Sequence, residues 1–274
     1  MKRKKTIKAG RLCREVIYAP PTRWDSPKAQ RERRCHSSEA RKRMNDKTAR
    51  GKLRLELAAN FGPNDYFVTL TFRDAALPSR RKDAYMRIRG YLATLRTARH
   101  KSGEPMRYIY VIENKHGQGR FHAHIVINRT GRNDFEDIRS LWQHGDCVDI
   151  RSLREWESPN DLGYTALAEY MTKESGDRPL GCRMWCSSAN LQKAIVTSEW
   201  VSDSAIISPP KGAIITEHDE RKTLFGSYEF CEYYTPAAKA NKRQQQKQNS
   251  PALSLVLRQG ITSGRQPEET STLY

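Results

Sequence analysis

The chain has 274 residues, and 37% of them are hydrophobic, which is enough for the core of at least one domain. Its 49 lysines and arginines outnumber 31 aspartates and glutamates, so the formal net charge is +18. A field of this sign favours a polyanionic partner, with nucleic acid as the first candidate. No apolar run is long enough for a transmembrane helix, the first residues lack the pattern of a secretion signal, and the six cysteines form no C-x-x-C pair. We therefore expect a cytoplasmic protein with reduced thiols and no membrane partner.

The positive charge is concentrated in the first 60 residues, which contain 19 of the lysines and arginines but only 6 of the acids. Leu53, Leu57 and Phe61 recur at helical spacing among good helix formers. We predict that residues 1–60 form a basic, largely helical N-terminal arm that contacts the core through this stripe. A solvated charged surface is the alternative, but the concentration favours contacts with phosphates. The candidate DNA-binding residues are Arg41, Lys42 and Arg43, together with Arg120 further along the chain.

The middle of the chain has the pattern of an α+β domain. Residues 65–72, 107–114 and 120–128 alternate β-branched and aromatic residues, which predicts three strands. Helical spacing predicts a helix between the first two strands, and a short helix, a strand and a helix over residues 161–174 follow the third. The order β-α-β-β-α-β-α is that of a ferredoxin-like split βαβ. We predict that residues 61–200 form this domain, with helices on one face of a central antiparallel sheet.

The last part of the chain has a weaker pattern. One or two further strands are predicted near residues 199–218, and the polar end of the chain is low in apolar residues. We expect residues 201–274 to be a C-terminal extension that is partly disordered. The sequence contains no GxxxxGK[ST] phosphate loop, which excludes a P-loop nucleoside-triphosphatase.

Two histidines share one face of the third predicted strand. His122 and His124 alternate with apolar residues, so both imidazoles project to the side opposite the packed side chains. If the preceding strand pairs antiparallel with Glu113 directly opposite His122, its carboxylate joins both imidazoles, whereas a slip of one residue sends it to the other side. Two structural histidines beside a salt-bridging glutamate are the alternative. Because buried polar groups need partners, the convergence favours a divalent cation site.

A tyrosine and a lysine lie three residues apart on the last predicted helix. Tyr170 and Lys173 would then share a helix face. Alone, such a pair is typical of an anchored aromatic beside a solvated charge. Its occurrence after a carboxylate and two histidines in a basic protein is what makes it a candidate for chemistry. Tyr164 lies on a different side of the helix and is not a second nucleophile on the same face.

The stretches "FVTLTF", "GRFHAHIVI" and "YMTK" resemble, in this order, the three motifs of the HUH endonuclease superfamily. The resemblance is greatest to the rolling-circle replication initiators of phages, plasmids and small single-stranded DNA replicons. "ANFGPNDYFVTLTF" is similar to the strand entry in replication-associated proteins of bacterial phages and prophages, and "RMWCSSANL" resembles the stretch after their tyrosine helix. The similarity covers roughly residues 38–195.

This resemblance implies roles for the residues at the matching positions. Tyr170 would be the nucleophile, Lys173 would steer the scissile phosphate, and Mg²⁺ or Mn²⁺ would be held by Glu113, His122 and His124. The reaction implied is nicking and rejoining of single-stranded or hairpin origin DNA through a 5′-phosphotyrosine and a free 3′-hydroxyl, in a bacterial cytoplasm with a host helicase and polymerase.

Two other functions stay open. A single-tyrosine relaxase or transposase would use the same chemistry, although relaxases usually carry a third histidine that is not found here, and lysine three residues after the tyrosine favours replication over transposition. A DNA-binding regulator that keeps the fold without catalysis is the other possibility.

Overall fold

The computed structural model describes residues 1–20, 38–100, 105–114, 119–131, 133–156, 163–174, 183–223 and 226–235. Within these residues the first strands are β1 (Lys2–Ala9) and β2 (Leu12–Tyr18), followed by helix α1 (Ser38–Asn60). The next elements are β3 (Tyr66–Thr71), α2 (Arg81–His100), β4 (Tyr108–Glu113), β5 (His122–Ile127), α3 (Asp134–Ser140), β6 (Val148–Ser152) and α4 (Thr165–Met171). The last are β7 (Cys186–Ser187), β8 (Ile195–Val201), β9 (Ile214–Thr223) and β10 (Gly226–Tyr234).

The central sheet has the strand order β6-β3-β5-β4-β7 and is antiparallel. Its first four strands have the split βαβ order, in which the first and third strands in sequence lie in the middle of the sheet. The predicted α+β class with a central antiparallel sheet is therefore confirmed. β-branched residues and tyrosines fill these strands, as their alternating pattern predicted.

Helices cover both faces of the central sheet, and the prediction that they would cover one face is wrong. The helices of the split βαβ, α2 and α3, pack on the face formed by side chains such as Val68, Ile112 and Ile125. On the opposite face, Phe67 and Val126 pack with residues of α1 and α4. The cause is that β3, β4 and β5 are apolar on both faces, so each face needs a covering layer.

A second antiparallel sheet joins the two ends of the described chain, with the strand order β8-β1-β2-β10-β9. The N-terminal arm is thus helical only in α1, and its first part forms a hairpin because β-branched residues such as Thr6, Ile7 and Val16 favour strands despite the surrounding lysines. β9 and β10 belong to the same sheet, so the predicted boundary near residue 200 does not separate a C-terminal extension. The expected disorder concerns residues 236–274, which lie outside the described residues.

The β1–β2 turn lies directly against helix α1. Gly10 has a positive φ of 55°, and a Cβ atom at this position would lie 2.2 Å from the carbonyl oxygen of Ala58. Only glycine tolerates both the left-handed backbone and this approach. The turn therefore fixes the hairpin of the second sheet on the helix that also covers the central sheet.

A buried ion pair joins α1 to the second sheet. Glu232 is 1% exposed, and its carboxylate lies 2.5 Å from Nε of Arg14 and 2.7 Å from Nη1 of Arg54. Thr216 donates a further hydrogen bond of 2.8 Å to the same carboxylate. Burial raises the pKa of the Glu232 carboxyl, but Arg54 and Arg14 outweigh this effect and hold the pKa below its usual range.

Glu232→Gln is expected to lower the free energy of unfolding by about 3 kcal/mol at neutral pH, because it leaves two guanidinium groups without their buried counter-charge. A carboxyl whose pKa is lower in the folded state stabilises that state above the unfolded-state pKa of about 4.3. The difference from wild type should therefore shrink as the pH falls below that value. Urea unfolding at several pH values measures it, with the exposed Glu220→Gln on β9 as the control. Equal stabilities of the Glu232 variant and wild type at pH 7 would contradict this account.

No helix in the described ranges has both the length and the apolar content needed to cross a bilayer.

Candidate metal and tyrosine site

The register of the central hairpin is the one that brings the predicted ligands together. Glu113 on β4 lies directly opposite His122 on β5. Phe121, Ala123 and alternating residues after them pack on the α2 side of the sheet, while the two histidines project to the α4 side. The prediction that one carboxylate and two imidazoles share a face is confirmed.

The ligand atoms of Glu113, His122 and His124 lie within 4.8 Å of one another, close enough to hold one metal ion. Oε2 of Glu113 is 3.4 Å from Nε2 of each histidine. Oε1 of the same carboxylate is buried and has no hydrogen-bond partner among the described residues. A buried carboxylate with an unsatisfied oxygen beside two imidazole nitrogens fits a divalent cation, which would supply the missing partner.

The pKa values in the cluster follow from its charges and burial. Burial raises the pKa of Glu113, but the contacts with His122, His124 and Lys173 outweigh it and hold the pKa well below its usual range. The Glu113 contact raises the pKa of His122, whereas burial lowers the pKa of His124. Glu113 is therefore ionised and His124 is held neutral at pH 7, which are the forms that bind a metal ion.

His124 is oriented by side chains of β3. Thr69 lies directly opposite it in the register, and Oγ1 of Thr69 is 3.0 Å from its Nδ1. The ring of Phe67 stacks on the imidazole at a centroid distance of 5.3 Å and an interplanar angle of 17°. With Nδ1 engaged by threonine, Nε2 is directed toward Glu113. Sequence reasoning treated the "FVTLTF" motif as structural and missed this contact, which the alternation of Phe67 and Thr69 on one strand face could have suggested.

Thr69→Val is expected to weaken divalent metal binding by roughly 10- to 100-fold, because the isosteric side chain removes the hydroxyl that orients His124. Thr69→Ser keeps the hydroxyl and should retain most of the affinity. Isothermal titration with Mn²⁺ compares the two variants with wild type. Equal affinities of the valine and serine variants would show that Thr69 only packs against the imidazole.

Tyr170 and Lys173 adjoin the cluster from the end of α4. The Tyr170 hydroxyl lies 3.2 Å from Nε2 of His124. The helix ends at Met171, so Lys173 lies in the following turn rather than on the helix as predicted. Its Nζ is nevertheless 2.9 Å from Oε2 of Glu113 and 3.7 Å from the centroid of the Tyr170 ring. Burial lowers the pKa of Lys173, but Glu113 outweighs this effect and the pKa is raised, so the side chain is an ammonium ion at neutral pH.

The tyrosine segment is held in place by contacts that the sequence did not reveal. Oε2 of Glu174 accepts a hydrogen bond of 2.9 Å from the backbone N–H of Asn114, the residue after Glu113. Arg81 donates to the side chain of Asn114 at 3.0 Å. At the start of α4, Tyr164 has a φ of 62° and is buried, and its hydroxyl donates to the carbonyl of Phe61. These contacts fix both ends of the short helix, and they keep Tyr164 away from the cluster.

The predicted DNA-binding residues are dispersed. Lys42 and Arg43 lie exposed on α1, and the side chain of Arg41 is outside the described part. The Arg120 guanidinium donates to the carbonyl of Phe72 at 3.1 Å and forms an ion pair with Asp74. None of these four residues joins the metal and tyrosine site, and their contacts with DNA stay a prediction.

Residues 65–175 match the family model of the ORF2-type replication-associated proteins. No curated protein matches the chain. Among solved structures, the chain is similar to the hypothetical protein ORF119 from Sulfolobus islandicus rod-shaped virus 1, with 14% identity, a TM-score of 0.32, and coverage of 48% of this chain and 97% of that one. That structural similarity is too weak to support a conclusion. The family match supports a role in the initiation of replication, and its segment contains every member of the site: Glu113, His122, His124, Tyr170 and Lys173.

Proposed function

We propose that the protein is a rolling-circle replication initiator of the HUH type, which nicks single-stranded origin DNA with Tyr170 and later rejoins the ends. The observation that carries this proposal is the 3.2 Å separation between the Tyr170 hydroxyl and Nε2 of His124, a member of the Glu-His-His cluster. A nucleophile next to a cation site is the arrangement that phosphodiester exchange requires.

Glu113, His122 and His124 would hold the divalent ion, which when bound draws charge from a non-bridging phosphate oxygen and fixes the phosphorus for attack. Two imidazoles and one carboxylate suit Mn²⁺ better than Mg²⁺, because Mg²⁺ prefers a shell of oxygen ligands. His122 is the most exposed of the three ligands, with 24% of its side chain accessible. The scissile phosphate would therefore approach from the His122 side.

The chain's own residues supply the nucleophile and a positive charge. The phenolic oxygen of Tyr170 forms a bond to phosphorus, the bond from phosphorus to the 3′ oxygen breaks, and the leaving oxygen takes a proton to become a hydroxyl. The phenolic proton passes to water, since Lys173 is already protonated and Glu113 is a weak base. The Lys173 ammonium favours the phenolate and can pair with the phosphate.

A covalent link suits an initiator better than hydrolysis does. One phosphate ester is exchanged for another of similar energy, so the same site can reverse the reaction and join ends. The free 3′-hydroxyl provides a primer for a host polymerase, with a helicase to separate the strands. Because the tyrosine must reach unpaired nucleotides, the substrate is a single strand or an extruded hairpin at an origin.

The test is incubation of the protein with a single-stranded origin oligonucleotide and Mn²⁺ or Mg²⁺. The proposal predicts a covalent adduct that resists denaturation, and a mass shift on the tryptic peptide that contains Tyr170. DNA binding without an adduct at any metal concentration would favour a non-catalytic regulator. An adduct on transfer-origin or transposon-end DNA alone would favour a relaxase or transposase.

A further inference from the structure

One face of the second sheet carries a row of aromatic and cationic residues that crosses all five strands. In the register of the sheet, Arg3 lies between Trp200 and Tyr18. Tyr228 lies directly opposite Tyr18 on its other side, and Arg221 lies opposite Tyr228. Residues directly opposite each other project to the same face of a sheet, so the five side chains form one line. Neighbouring strands are about 4.8 Å apart, which makes the line roughly 20 Å long.

The two faces of this sheet differ in how they are covered. On the other face, Cys13, Ile17 and Cys231 pack with Ile207 in a small core. On the face with the row, Trp200 is 56% exposed, and Tyr18 and Tyr228 are only half-buried. Aromatic side chains aligned on an accessible face are not needed for the core, and such surfaces commonly mark binding sites.

The same face is rich in positive charge. The Arg3 guanidinium lies 5.4 Å from the centroid of the Trp200 ring, and Lys5 projects from the next position of β1 on this face. Between the sheet and α1 lies a groove of about 820 Å³, in which Arg14, Lys47, Lys52 and Arg221 outnumber two acids, Glu217 and Asp219. Asp219 is engaged by Arg221 at 2.8 Å.

We infer that this face binds single-stranded DNA at a position separate from the tyrosine site. Unpaired bases would stack on Trp200, Tyr18 and Tyr228, and phosphates would contact Arg3 and the cations of the groove. Aromatic platforms bordered by cations are the chemistry that recognises unpaired strands, because each base offers a ring face and each linkage a negative charge. The choice of DNA over RNA rests on the proposed function, while the recognition of an unpaired strand does not.

The experiment measures binding alone, in the full chain with Tyr170→Phe and a chelator, so that nicking cannot contribute. Fluorescence anisotropy with a labelled oligo(dT) of 12 nucleotides gives the affinity. Trp200→Ala is expected to weaken binding by roughly 5- to 100-fold, which is the loss of one stacked base. Affinity for a 12-base-pair duplex should change less than twofold, since its bases are already paired and stacked.

Three variants make the result specific. Trp200→Phe keeps a ring and should retain most of the affinity, whereas Tyr18→Ala should repeat the loss at a second position of the row. Phe135→Ala removes a comparably exposed aromatic, 52% accessible, from a helix on the central sheet and should have no effect. Thermal unfolding of each variant confirms that it is folded.

The inference is overturned if folded Trp200→Ala and Tyr18→Ala both bind oligo(dT) as tightly as the parent. It is also overturned if they lose the same factor on duplex, which would indicate phosphate contacts without stacking. Arg221→Ala provides a separate measure, because loss of one phosphate contact should reduce the slope of log affinity against log salt by about 0.7. Absence of a covalent adduct in wild type would contradict the nicking proposal and leave these binding results unchanged.

Discussion

Tyr170→Phe is expected to abolish both nicking and the covalent adduct, with a loss of roughly 10³-fold or more, because no other group then forms the phosphotyrosine. The phenyl ring keeps its contacts with Phe67, His124 and Lys173, so the fold and the metal affinity should stay unchanged. Denaturing gel electrophoresis with a labelled origin oligonucleotide measures the adduct. Titration with Mn²⁺ on the same preparation shows that the cluster is intact.

The matched control is Tyr164→Phe. Tyr164 is the neighbouring tyrosine, but its hydroxyl donates to the Phe61 carbonyl and its side chain is 2% exposed. This variant should form the adduct like wild type, although the lost hydrogen bond lowers its stability slightly. Nicking by Tyr170→Phe at the wild-type rate would mean that water is the nucleophile, and the initiator proposal would then fail.

Glu113→Gln is expected to weaken Mn²⁺ binding by at least about 100-fold, more than loss of an outer contact such as Thr69. The substitution keeps the shape of the side chain and removes the only anionic ligand of the cluster. It also removes the charge that raises the pKa of His122, and the remaining two imidazoles bind a hard divalent ion weakly. Isothermal titration at pH 7.5 measures the affinity, and nicking should fall with it at low metal concentration.

Glu174→Gln serves as the control for charge alone. Glu174 follows Lys173 and its carboxylate bonds to the backbone of Asn114, but it is not a member of the ligand cluster. Its replacement should change the Mn²⁺ affinity only a few-fold. If Glu113→Gln and wild type bound Mn²⁺ equally well, the cluster would not be the metal site.

The site could be predicted from the sequence further than the fold around it. The alternation of His122 and His124 fixes their common face, and a single register then places Glu113 with them. Both inferences need only the two-residue period of a strand. The position of Lys173 was harder to predict, because the helix ends two residues before it and local patterns locate helix ends poorly.

The second sheet could not be predicted because its pairings join residues far apart in sequence. Arg3 pairs with Trp200, and Tyr18 pairs with Tyr228, so no local pattern contains both partners. The strand β1 is also dominated by lysines, whose charge obscures the alternation of its few apolar residues. The cross-strand row of aromatic residues is visible only once these registers are known.

The joining of both chain ends in one sheet determines how the protein can be shortened. A fragment of residues 61–200 would lose α1 and leave Phe67, Ile109 and Val126 without their cover. Its last strand would also have an open edge where β1 belongs, and open edges promote aggregation. Expression of the nicking unit therefore requires residues 1–235, even though the residues of the site all lie between 113 and 173.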